Sequence, residues 1–118
     1  MKKLVVLIVI FFGCGKSDEI APEIILVLPE NQQVFASTQA ITVKATITDN
    51  HGIHMVHLIV LDNSNGGHML HFEDHFDGKT YELFKTFSPQ AGKTYSIEIG
   101  ATDHNGNRTT KQLTVSAN

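Results

Sequence analysis

The sequence is poor in cysteine, tryptophan, proline and positively charged residues. Its 118 residues include one cysteine, no tryptophan and three prolines. A single cysteine excludes an internal disulfide framework and any zinc cluster made only of cysteines. Positive charge is also scarce, because nine Lys and Arg residues stand against twelve Asp and Glu. Without a basic surplus to hold phosphates, the composition argues against nucleic acid as a partner.

What is present suffices for one folded domain. Hydrophobic residues make up 42% of the chain and charged residues 18%, a balance that wholly disordered or acidic-tail proteins do not have. A chain of this length can bury one core of its own.

The first residues follow the pattern of a secretion signal. Lys2 and Lys3 precede an unbroken apolar run over residues 4–12. Nine residues are too few for a membrane-spanning helix, which needs about 20, but they match the apolar region of an export signal. The alternative, a buried strand of a cytosolic domain, does not account for the two leading lysines.

The segment resembles a bacterial lipoprotein signal, because Gly13 is followed by Cys14. Phe11 and Phe12 depart from it, since such signals usually carry Leu and a small residue there. The resemblance implies that residues 1–13 are removed and that Cys14 carries the lipid.

The mature chain would lose two of its nine cationic residues and none of its twelve acidic ones, so its formal charge would become −5. Anionic lipid repels such a surface, and the acyl chains are therefore the expected membrane contact.

Residues 14–20 are interpreted as the lipidated cysteine and a short polar tether. Asp18 and Glu19 resemble the acidic signal that, in some Gram-negative groups, directs lipoproteins to the outer surface. A merely solvated linker is the alternative. We expect a cell-envelope, outer-membrane protein, facing the periplasm or the cell surface, with a protein or glycan partner if it has one.

Residues 21–118 have the pattern of short strands separated by turns. Apolar residues alternate with polar ones from Ile41 to Thr48 and from Tyr95 to Thr102, and Asp, Asn, Gly and Pro interrupt the runs. The pattern predicts an all-β fold, a seven-stranded antiparallel sandwich. The predicted strands are 24–28, 40–48, 53–61, 68–72, 80–87, 94–102 and 109–115.

Two runs, preceded by Pro22-x-Ile24, carry a resemblance to a known class of domain. They are Ile41-x-Val43-x-Ala45-x-Ile47-x-Asp49-x-x-Gly52-Ile53 and Tyr95-x-Ile97-x-Ile99-x-Ala101-x-Asp103-x-x-Gly106-Asn107. They resemble the uncharacterised immunoglobulin-like domains of Gram-negative surface lipoproteins, of the branch without a disulfide. The resemblance implies an immunoglobulin-like fold over residues 21–118 and specifies no activity.

The second run also suggests structural roles for its residues. The Tyr95 hydroxyl is expected to anchor a corner, and Asp103 to accept backbone N–H groups across the turn before Asn107. Gly106 would permit a positive φ.

The third predicted strand is apolar on both faces. His57, Ile59 and Leu61 would share one face. One interpretation is a central strand with a partly covered outer face. The other is a partner patch formed by these three residues.

The seven histidines all lie between positions 51 and 104. In an immunoglobulin-like sandwich three loops meet at one end, and they would bring together Asp49, His51, His75, Asp77, Asp103 and His104. Imidazole nitrogens bind zinc or copper, and carboxylate and amide oxygens bind calcium. A second set, His68 and His71, would join His75 on one face only if that stretch were helical. The alternative is that turns require Asp and Asn and that these histidines are ordinary surface residues.

Nothing in the sequence supplies a nucleophile in a catalytic context, and Cys14 is committed to lipid. We therefore expect no enzymatic activity. The sequence predicts a lipid-anchored envelope lipoprotein with one immunoglobulin-like binding or spacer module. The alternative is a metal-binding envelope lipoprotein that uses the His and Asp residues at the loop tip.

Overall fold

The computed structural model describes residues 19–118, and all regular structure in that part of the chain is β-strand. The prediction of an all-β fold is confirmed. No helix within it is long and apolar enough to cross a membrane. The strands are β1 (Glu23–Leu28), β2 (Val34–Phe35), β3 (Ile41–Asp62), β4 (Gly67–Phe87), β5 (Thr94–Asp103) and β6 (Arg108–Ala117).

Two long strands divide the molecule into two layers. β3 pairs with β4 along both of its halves, but its other neighbour changes from β1 to β5. The first layer therefore contains β1, residues 41–48 of β3 and residues 80–87 of β4. The second contains the remaining halves of β3 and β4, then β5, β6 and the parallel strand β2. All six strands in the described part of the chain belong to one hydrogen-bonded sheet that curls into these two layers, which gives an immunoglobulin-like sandwich.

Residues 19–118 form six strands instead of the predicted seven, because two pairs of predicted strands are each one continuous strand and β2 is an additional short strand. β3 covers the predicted strand 53–61 and all of the predicted strand 40–48 except residue 40, and β4 covers 68–72 and 80–87. Within β3, Oδ2 of Asp49 accepts the N–H groups of His51 and Gly52 at 3.0 and 2.9 Å. The chain therefore bends at this point and continues, instead of ending the strand.

The core lies between the two layers and is built mainly from β-branched and aliphatic side chains. In β3 and β5, every second side chain of the alternating runs points into the space between the two layers. The Phe87 and Tyr95 rings meet edge to face, with centroids 5.3 Å apart, and Lys85 lies over the Phe72 ring at the margin of the core. The fully buried large side chains are Tyr95, Ile41, Ile47, Ile53, Leu58, Leu83, Ile97, Ile99, Val43, Val56, Val60 and Val115.

The connection between β3 and β4 is held by a buried carboxylate. Oδ1 of Asp62 accepts both the hydroxyl and the backbone N–H of Ser64, and Nζ of Lys93 lies 3.0 Å from Oδ2. The Ser64 hydrogen bonds, followed by the Lys93 ammonium, hold the pKa of the Asp62 carboxyl below its usual value.

Candidate functional site

Three connected segments meet at one end of the sandwich. Ile53 pairs with Gly78 of β4 on one side and with Asp103 of β5 on the other. We call this region the histidine end and define it as residues 49–54, 75–79 and 103–107. β1 also begins here, because Glu23 pairs with Thr48. The chain behind Cys14 therefore enters the domain at the histidine end.

Three imidazole rings lie together at the histidine end. The centroid of His54 is 5.6 Å from that of His75 and 4.9 Å from that of His104. Nε2 of His104 lies 3.5 Å from Oδ1 of Asp77, whose side chain is 95% exposed. All three histidines are exposed. The cluster thus combines nitrogen donors with a carboxylate and is open to solvent.

A β-bulge explains why His54 joins the cluster. Ile53 and Met55 have register partners on both neighbouring strands, whereas His54 has none. Strict alternation would place His54 on the core side with Val56, but the bulge turns it outward. His54 was not among the predicted ligands, because it falls within the predicted strand 53–61, for which no bulge was expected. The available signal was Gly52, because an isolated glycine within a strand pattern indicates a bulge.

Gly52 lies beside the cluster, and its backbone conformation favours glycine. Its φ is +131°, and a Cβ at this position would lie 3.5 Å from Cδ2 of His104. The His104 ring therefore rests close to the backbone of β3 next to His54.

Two of the three aspartates in the predicted tip set, Asp49 and Asp103, hold turns. Oδ1 of Asp103 accepts the N–H groups of Asn105 and Asn107, and Oδ2 accepts the Asn107 side-chain amide. Oδ2 of Asp49 holds the turn before His51, and its Oδ1 is buried with no hydrogen-bond partner. Both side chains are buried.

The six predicted tip residues therefore divide into two groups. His75, Asp77 and His104 come together, whereas Asp49 and Asp103 are engaged in turns and His51 lies beside the Asn50 amide. Within residues 19–118, no group of three or more His, Cys, Asp or Glu side chains is arranged to hold a metal ion.

His68 and His71 lie on a strand, not a helix, because both belong to β4. A register shift between Val60 and Leu61 places them opposite Leu61 and Ile59. Their rings are edge to face, with centroids 5.3 Å apart. They form a second histidine pair, along β4 from the histidine end.

The side chains of the predicted partner patch differ greatly in accessibility. His57 is only 7% exposed, with Nε2 at 2.9 Å from Oε2 of Glu98. Nε2 of Gln112 donates to Oε1 of the same carboxylate at 2.8 Å. The His57 hydrogen bond, followed by that of Gln112, holds the Glu98 pKa below its usual value.

Ile59 and Leu61 are half-buried and line a groove of about 350 Å³ on the outer face of the second layer. The other residues that line it are His68, Ser96, Ile97, Glu98, Gln112, Leu113 and Thr114. The patch is thus a mixed polar and apolar groove with His57 sealed beside it.

No protein-family model matches the chain, and no curated protein matches it. Among solved structures, it is similar to the CARDB domain of the PF1109 protein from Pyrococcus furiosus, determined in complex with di-metal ions. The identity is 13% and the TM-score 0.48, over 83% of this chain and 96% of that one. A likeness at this level carries no argument about function.

The residues predicted to have structural roles are Tyr95, Asp103, Gly106 and Asn107. Tyr95 lies at the end of the sandwich opposite the histidine end, and the other three form the turn between β5 and β6. The Tyr95 hydroxyl accepts the Gln90 backbone N–H at 2.7 Å from a fully buried position. Gly106 has a φ of +86° in the turn that Asp103 holds, and Asn107 closes it. Cys14, the predicted lipidation site, lies outside the described residues.

The outer face of the first layer carries a strip of exposed apolar side chains, interrupted by a lysine, that was not predicted from the sequence. Leu28 of β1 and Phe84 of β4 lie on either side of Lys44 in the sheet, and all three are exposed. Ile25 and Val27 extend the strip along β1.

Proposed function

We propose that the chain is a lipid-anchored envelope protein whose immunoglobulin-like domain is a binding or spacer module. The observation that supports this most directly is the order of the parts. A signal-like segment ends at Gly13 and Cys14, and the first strand begins at Glu23, only nine positions beyond that cysteine.

The short tether has a geometric consequence for the proposal. Nine residues span at most about 30 Å even when fully extended. Because β1 begins at the histidine end, a lipid on Cys14 keeps that end near the bilayer. β6 runs away from it, so the groove around Ile59 and Leu61 lies along the side of the domain. A protein or glycan at the cell surface is the proposed partner, and no catalysis is proposed.

Replacing Cys14 tests the anchor. In a Gram-negative host supplied with labelled palmitate, we expect the natural chain to incorporate label and to sediment with membranes. The Cys14→Ala variant should lose the label, because no other thiol is present to accept an acyl chain. Ser17→Ala is the matched control, three residues further on, and should behave like the natural chain. Undiminished labelling of Cys14→Ala would contradict the proposal.

Metal binding by the same envelope protein is the second candidate function, with zinc, copper or calcium as the ion. The observation that favours it is the meeting of His54, His75 and His104. A metal present at a hundred times its Kd would stabilise the fold by about 2.7 kcal/mol. Thermal unfolding with each metal measures this, and no shift with any of them would contradict the candidate.

A further inference from the structure

We propose that His54, His75 and His104 form a binding site for a divalent transition metal, Zn²⁺ or Cu²⁺, an inference that rests on the second candidate function. It assigns a ligand, His54, that the alternation pattern of the sequence places on the core side. It also removes Asp49 and Asp103 from the ligand set.

The ring separations fit shared coordination. A Zn–N bond of about 2.0 to 2.1 Å with tetrahedral angles places the centroids of two coordinated imidazoles about 5 Å apart. The observed separations from His54 are 4.9 Å to His104 and 5.6 Å to His75. As they stand, the three rings do not surround a common point within residues 19–118, so binding requires the side chains to rotate about their χ angles. All three side chains are exposed and have space to do so.

The backbone that carries the rings is fixed by three adjacent strands. His75 belongs to β4, His54 to the bulge of β3, and His104 follows the last residue of β5. Pairing of Ile53 with both Gly78 and Asp103 sets their relative positions. Ligands on paired strands lose less conformational freedom on binding than ligands on free loops.

The shortage of available oxygen ligands at this end favours a nitrogen-binding metal over calcium. Calcium takes six to eight oxygen ligands. Both carboxylate oxygens of Asp103 are hydrogen-bonded within its own turn, and Oδ2 of Asp49 accepts the N–H of Gly52 in another turn. Asp77 is the carboxylate beside the rings, 3.5 Å from Nε2 of His104. It serves as the fourth ligand or as the acceptor that orients His104.

The test uses the full chain, purified in detergent without a polyhistidine tag, and titrated with Zn²⁺ against a competing metal indicator. We expect His54→Gln, His75→Gln and His104→Gln each to weaken zinc binding at least tenfold. His51→Gln is the control at the same end, and His71→Gln is the control in the second histidine pair. Both should stay within twofold of the natural chain. With Cu²⁺, electron paramagnetic resonance should show nitrogen couplings that diminish in the first three variants.

The possible outcomes distinguish failure of the proposed three-histidine site from failure of metal binding itself. If neither Zn²⁺ nor Cu²⁺ binds at 100 times the protein concentration, and calcium has no effect, both the inference and metal binding are wrong. If zinc or copper binds but His71→Gln weakens it and His54→Gln does not, metal binding stands and the proposed site is wrong. Stabilisation by calcium alone would likewise overturn the proposed site.

Discussion

At the scale of single residues, His57 occupies a space that exists because residue 100 is glycine. A Cβ at Gly100 would overlap Cε1, Nε2 and Nδ1 of the His57 ring. The ring is sealed there, and its Nε2 meets the Glu98 carboxylate. Gly100 has no unusual φ to justify it, so its role is the room it leaves for the imidazole.

Gly100→Ala should therefore lower the free energy of unfolding by about 2 kcal/mol, within the range for overpacking of a closely fitted site. Urea denaturation measures the loss. Adding His57→Ala removes the ring that the new methyl group would strike. The double variant should consequently lose less stability than the sum of the two single variants, and strict additivity would contradict the steric explanation.

The same scale shows what the sequence could not predict about the candidate site. His75 and His104 were predicted from loops expected to meet at one end of the sandwich. His104 does follow a strand end, whereas His75 lies within β4. His54 was not predicted, since its outward position depends on a bulge opposite two partner strands at once. The burial of His57 depends on Gly100, 43 residues away in sequence, and no local pattern connects them.

At the scale of elements, the turn between β5 and β6 depends on one side chain. Asp103 is almost fully buried and holds two backbone N–H groups and one side-chain amide. The alternation of apolar and polar residues predicts both strands that flank this turn. β5 and β6 extend only one to two residues beyond the predicted 94–102 and 109–115. β2 was missed, because its two residues are a strand only through pairing with Ser116 and Ala117.

Asp103→Ala should destabilise the fold by about 2 to 3 kcal/mol, because it leaves several donors without their acceptor. Asp77→Ala is the matched control at the same end, where the side chain is 95% exposed, and should change stability by less than about 0.5 kcal/mol. Both are measured by urea denaturation without metal. Equal effects of the two substitutions would show that the turn does not depend on the Asp103 carboxylate.

At the scale of the whole molecule, the first strand is tied to the last. The Thr109 hydroxyl donates to the Pro22 carbonyl at 2.6 Å across 87 positions of sequence. Ile24, two residues later, is buried in the shared core. This contact lies where the tether enters the domain, so it closes the sandwich at the point that would face an anchor.

Thr109→Val keeps the shape of the side chain and removes the donor, and should cost about 1 kcal/mol. The loss should be concentrated in β1, as faster hydrogen exchange of its amides than of those in β5. Thr110→Val, at the exposed neighbouring position, is the control and should leave exchange in β1 unchanged. Equal exchange rates of β1 in the two variants would contradict this role of Thr109.

The parallel pairing of β2 with β6 determines how the domain would carry a mechanical load. β1 starts at the histidine end and β6 finishes at the other, so tension between the two ends of the domain acts along the strands. The N–H of Gln32, the carbonyl of Gln33 and the carbonyl of Phe35 each bond to residues 114–118. Such tension loads these bonds together in shear instead of opening them one at a time. Resistance to it would be set by the rate of unfolding rather than by equilibrium stability.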